Sequence, residues 1–142
     1  PVINDPDTYK FELGKGVELK SGKDITIVAT GLCVSESLKA AEMLKEAGVD
    51  AQVINIHTIK PIDEDIIINA AKKTGRIFTV EEHSIIGGLG SAVMEVLSEK
   101  YPTKVTRIGV NDTYGCSGPA KELLHVFGLD AEGIAARIKE NL

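Results

Sequence analysis

The chain has 142 residues, 43% of them apolar and 26% charged, with a net charge of −5. That length suits one domain and buries about two-thirds of the surface its unfolded form exposes, so a single core is expected. Ordinary globular composition excludes collagen-like and disordered classes. No apolar run approaches the roughly 20 residues that span a bilayer, and lysines spread along an acidic chain leave no electrostatic footprint for nucleic acid.

The first ten residues, PVINDPDTYK, carry two prolines and polar turn formers, and no basic stretch followed by an apolar one. They predict a linker over residues 1–13, left from a preceding domain, ahead of one domain over 14–142. Gly16 to Lys20 predicts a short edge strand joined to Asp24 by the Ser21-Gly22-Lys23 turn, and so short a connection calls for an antiparallel pair. Asp24 to Thr30 is a β-branched apolar run, the pattern of a strand covered on both faces. Leu38, Ala41 and Leu44 share a helical stripe over Ser35 to Ala47, with Ser35 as its cap and Gly48 at its end.

Ala51 to His57 predicts the next strand. Pro61 breaks the chain before Asp63, which can cap a helix with Glu64 and Asp65 in its first turn, Lys72 and Lys73 in its last, and Gly75 beyond. Arg76 to Val80 predicts another strand, and from Leu89 the residues Val93, Val96, Leu97 and Tyr101 recur at helical spacing until Pro102. Lys104 to Val110 predicts a strand, Pro119 opens a helix that ends at Gly128, and Asp130 caps a last helix carrying Ile134, Ile138 and Leu142. Strands alternating with helices at this spacing define an α/β domain with a mostly parallel sheet and helices on both faces.

In open α/β sheets ligands collect at the carboxyl ends of strands. The richest loop there carries Glu81, Glu82 and His83, followed by Gly87, Gly88 and Gly90 at the opening of a helix. A carboxylate beside an imidazole can do acid or base work, and bare helix amides can hold an anion. The plainer reading is preferred: the glycines let the helix pack on the sheet, and the Glu-Glu-His triplet fixes the loop or meets a neighbouring domain. This loop and the 111–118 loop, with Asp112 and Ser117, are expected to line one end of the sheet and face another domain or a small ligand; Ser117 also reads as a helix cap. The glycines do not make a GxGxxG fingerprint, and no Walker A sequence occurs. His57 and His125 read as structural and surface residues, no metal site follows from the three scattered histidines, and no GxSxG elbow surrounds Ser117. Cys33 and Cys116 lack CxxC pairing and read as reduced thiols of a cytoplasmic protein.

The motifs GKDITIVATG, HTIKPIDED, TVEEHSIIGGLGSAV, RIGVNDTYGCSG and GLDAEGIA stand in that order between Gly22 and Ala135. Together they make the run from Gly14 to Leu142 resemble the C-terminal domain of transketolases, especially the short C-terminal subunits of split transketolases. The resemblance implies a three-layer α/β/α domain with a five-stranded sheet and one antiparallel edge strand. It also implies ketol transfer between sugar phosphates through thiamine diphosphate. In that family the diphosphate and Mg²⁺ are held by a GDG motif with a downstream Asn, and the cofactor is activated by a Glu, all on other domains. This chain has no GDG sequence, and its only arginines are Arg76, Arg107 and Arg137. The implied role is therefore support: no cofactor, metal or catalytic residue of its own, inactivity when isolated, and packing against the pyrimidine- and diphosphate-binding domains or subunit in a homodimer or heterotetramer. Two alternatives stay open. One is the matching domain of deoxyxylulose phosphate synthase or a 2-oxoacid dehydrogenase beta subunit. The other is a freestanding module that binds a small anion at the GGLG helix terminus.

Overall fold

The computed structural model describes residues 15–84, 88–110 and 128–142, with the backbone alone at 83, 84 and 110. Five strands, β1 (Val17–Lys20), β2 (Ile25–Ala29), β3 (Ala51–Asn55), β4 (Ile77–Ser84) and β5 (Val105–Val110), form one sheet in the order β1-β3-β2-β4-β5. All neighbours are parallel except β1 and β3. The described helices are α1 (Cys33–Glu46), α2 (Glu64–Thr74), α3 (Leu89–Lys100) and α4 (Ala131–Glu140). The helix expected after Pro119 lies outside the described residues.

Alternation along the strands divides the core. Ile27, Val53, Phe78 and Val80 pack with Ala41 and Leu44 of α1 and Ile134 and Ile138 of α4 on one face. Val28, Ile54 and Ile77 meet Ile67 and Ala71 of α2 and Val93 and Leu97 of α3 on the other. Every residue of β2 is buried, as a strand covered on both faces requires. Three layers result, as expected from the strand and helix order.

Four local expectations are corrected. The edge strand β1 is antiparallel, but it pairs with β3 and not with its chain neighbour β2. Both flanks of β2 are taken by β3 and β4, so the Ser21-Gly22-Lys23 segment crosses the start of β3 instead of making a hairpin. A Cβ on Gly22 would collide with the Ala51 and Gln52 backbone there, and Asp50 holds the crossing by accepting from the Lys23 N–H at 3.1 Å. Secondly, α1 begins at Cys33, with Leu32 as its capping residue and no local side-chain cap; Ser35 lies inside the helix. Thirdly, β4 runs four residues past Val80, so Glu81, Glu82 and His83 belong to the strand, where pairing with β5 is irregular between Val80 and Ser84. Lastly, α4 ends before Leu142, which is 62% exposed.

Candidate functional site

β2 has β3 on one side and β4 on the other. α1 leaves β2 toward one face and α3 leaves β4 toward the opposite face, which makes the β2/β4 boundary the topological switch point where such folds receive ligands. Glu81 and Glu82 stand there. Consecutive strand residues point to opposite faces, so one carboxylate goes to each helix layer.

Glu81, 1% exposed, accepts from the Leu89 N–H through Oε1 and the Gly90 N–H through Oε2, both at 2.9 Å. These are first-turn amides of α3, which lack partners within the helix and carry the positive end of its dipole. Glu82 stands at the start of α1 on the other face: its Oε2 accepts from the N–H of the capping residue Leu32 at 3.1 Å and from the Cys33 Sγ at 3.6 Å. Glycines make room for both. A Cβ on Gly88 would meet the Glu81 carboxylate, and one on Gly31 would meet that of Glu82 at a position whose φ of +61° already disfavours a side chain. Gly90 lies where a Cβ would strike the Arg107 stem and the Thr79 hydroxyl.

This arrangement performs electrostatic capping. The Leu89 and Gly90 amides that could receive a phosphate at α3 already hold the Glu81 carboxylate, and the Glu82 carboxylate stands at the start of α1, so a diphosphate placed there would meet two negative groups. Among the described residues, these helix ends therefore do not fit thiamine diphosphate with its metal, and the anion-binding reading of the GGLG terminus is corrected for the Leu89 and Gly90 amides by the Glu81 carboxylate. No group of three His, Cys, Asp or Glu side chains suited to a metal occurs among the described residues. Among the described residues no helix is long and apolar enough to cross a membrane.

Of the sequence-predicted site residues, Glu81, Gly88 and Gly90 are brought together, Glu82 turns to Gly31 and Leu32 on the other face, and His83 continues the strand. Gly87, Asp112 and Ser117 lie outside the described residues, as do Cys116 and His125. His57 is half-buried at the end of β3, with its Nδ1 3.4 Å from the Asn55 side-chain amide; burial lowers its pKa from the ordinary 6.5 and favours the neutral ring. Burial, reinforced by the Glu82 carboxylate, pushes the Cys33 thiol far up, so Cys33 is an inert buried thiol. Arg76 is the residue whose importance the sequence hid. Its guanidinium lies over the Phe78 ring, 4.2 Å to the centroid, and donates to the carbonyls of Ile77, Lys104 and Asn141 and to the Thr106 hydroxyl. The signal available was its place immediately before a strand, at the end where helix carbonyls gather.

Fold and site together define a doubly wound α/β domain whose switch point is closed by its own carboxylates. The family model for the transketolase C-terminal domain matches residues 14–134, and the chain belongs to that family. It is 53% identical, over 99% of its length and 44% of the relative's, to a Methanocaldococcus jannaschii protein provisionally designated a transketolase C-terminal section. It is 45% identical, over 96% of its length and 42% of the relative's, to a 6-deoxy-6-sulfo-D-fructose transketolase subunit of Clostridium sp.. A solved split-gene transketolase, described as an inactive beta4 tetramer, superposes with a TM-score of 0.91 at 47% identity, covering 99% of this chain and 46% of that one. Deoxyxylulose phosphate synthases also match, one from Geobacter sulfurreducens at 41% identity over 93% of this chain and 21% of its own. The chain thus spans less than half the length of these relatives.

Proposed function

We propose that the chain is the C-terminal domain of a thiamine diphosphate-dependent transketolase, which moves a two-carbon ketol unit from a ketose phosphate to an aldose phosphate. Its part is assembly, without a catalytic step of its own. One observation carries this reading: at the switch point, the Glu81 and Glu82 carboxylates bind the chain's own amides at the starts of α3 and α1, which leaves no open cradle for a diphosphate among the described residues there. Thiamine diphosphate supplies the carbanion stabilisation when bound, and it is held with Mg²⁺ by the pyrimidine- and diphosphate-binding domains of the same cytoplasmic enzyme, a homodimer or heterotetramer. The family match and the split-gene structural neighbour support this division of labour.

The test is reconstitution. The 142-residue chain, given thiamine diphosphate, Mg²⁺, xylulose phosphate and ribose phosphate, is expected to show no ketol transfer, whereas the parent subunit with a GDG-bearing partner is expected to show it. Turnover by the chain alone would overturn the reading. Because deoxyxylulose phosphate synthases also match, pyruvate is offered as donor in parallel; pyruvate-dependent product without ketol transfer would move the assignment to that enzyme.

A further inference from the structure

We infer that the carboxyl-end face of the sheet, centred on Leu32 and the 57–60 turn, is where the preceding part of the parent subunit docks. This rests on the reading of the chain as one domain of a larger enzyme.

The point of chain entry is the first argument. Because β1 runs antiparallel to β3, with Val17 opposite Asn55 and Lys20 opposite Val53, the chain enters the domain at the carboxyl end of the parallel strands. That entry is pinned: the Gly16 N–H donates to Asp63 Oδ2 at 2.9 Å, and Gly16 packs against Ile56 and Ile66. Whatever precedes residue 15 is therefore tethered beside this face, and a short tether holds it there at high effective concentration. The relatives and the split-gene structure are more than twice this chain's length, so a mass larger than the domain itself needs a surface to rest on.

Leu32 supplies the second argument. Large exposed apolar side chains among the described residues are Leu32, Met94, Tyr101 and Leu142. Met94 lies midway along α3, and Tyr101 and Leu142 lie at the amino end. Leu32, 53% exposed, is the one at the entry end, on a turn held rigid by the bond from its own N–H to Glu82. An apolar side chain on a pinned backbone, more than half exposed, suits an interface anchor, since little backbone freedom is lost when it is buried. Lys15 and Lys60 are exposed at the same end. The matching surface is accordingly an apolar pocket for Leu32, rimmed by carboxylates.

Hydrogen exchange on the 142-residue chain and on the parent subunit tests this directly. Amides of residues 31–33 and 57–60 are expected to exchange about tenfold or more slowly in the parent, while those of Tyr101, Thr103, Lys104, Asn141 and Leu142 stay unchanged. Leu32→Glu in the parent should abolish the slowing at 57–60 without changing the unfolding midpoint of the 142-residue chain, and Leu142→Glu should leave it intact. Unchanged exchange at 31–33, or slowing at the amino end instead, would overturn the proposal. A parent that shows the slowing but no ketol transfer would sink the proposed function and leave the docking face standing.

Discussion

The two ends of β4 are fastened by opposite charges. Before its first residue, Arg76 donates to three carbonyls and a hydroxyl, one of the carbonyls at the end of α4. Past Val80, Glu81 accepts from the first two amides of α3 and Glu82 from the capping amide ahead of α1. The signs follow from the polarity of the backbone. In a sheet whose helices return antiparallel to the strands, helix amino ends gather where strands finish and helix carboxyl ends gather where strands start, so anions suit one end and cations the other. The ends differ in burial: Glu81 is sealed from water, and Arg76 is half-buried. That difference predicts which end is costlier to disturb.

The largest effect is expected at Glu81. Its replacement by Ala orphans two buried N–H groups and removes a charge-assisted pair of bonds, a loss of about 3 kcal/mol. Glu81→Gln keeps one acceptor oxygen in place and should lose less. Glu82→Ala should cost about 1 kcal/mol, because its one amide partner, the N–H of the exposed Leu32, can turn to water. Urea unfolding of the three variants checks the ranking; a Glu82 loss equal to that of Glu81 would break the argument from burial.

A middle effect is expected at the amino end. Arg76→Met keeps a stem to pack on Phe78 but abandons four acceptors, and about 1 to 2 kcal/mol should be lost. Arg76→Lys should rescue little, because one ammonium cannot reproduce the fork that bonds Ile77 and Lys104 through one nitrogen and Thr106 and Asn141 through the other. If Lys restores the wild-type midpoint, the charge alone matters and the geometry does not.

How legible these contacts were depends on their span. Asp63 and Asp130 bond amides three residues ahead, Ile66 and Gly133, so their capping roles could be read from local pattern, as could the strands whose residues are buried on both faces. α1 was misread because its cap comes from Glu82, fifty residues away in sequence, and no local pattern reports that; Ser35 was simply the nearest residue of capping type. Glu81, Glu82, Gly88 and Gly90 were legible as a cluster, yet their targets were not, since which helix a carboxylate reaches depends on the face it occupies and hence on the strand continuing past Val80. The placement of β1 failed for a related reason. A four-residue link looks like a hairpin until both flanks of β2 are known to be taken.

The smallest expected effect concerns pH and also separates the two ends. Arg76, despite a pKa lowered by burial, remains charged through the accessible range, so the amino end should be insensitive near neutrality. His57, at the carboxyl end, has its pKa lowered by burial from the ordinary 6.5. The unfolded chain then takes up this proton before the folded one does. Stability contributed by the neutral ring is full above pH 6.5 and is lost as the pH falls below 6.5 toward the folded value. His57→Asn removes this titration, so thermal unfolding of the variant between pH 7.5 and 5 should follow a shallower decline than the wild type, the two curves converging or crossing on the acid side. Parallel curves would mean that His57 titrates alike in both states, and this separation of the two ends would fall.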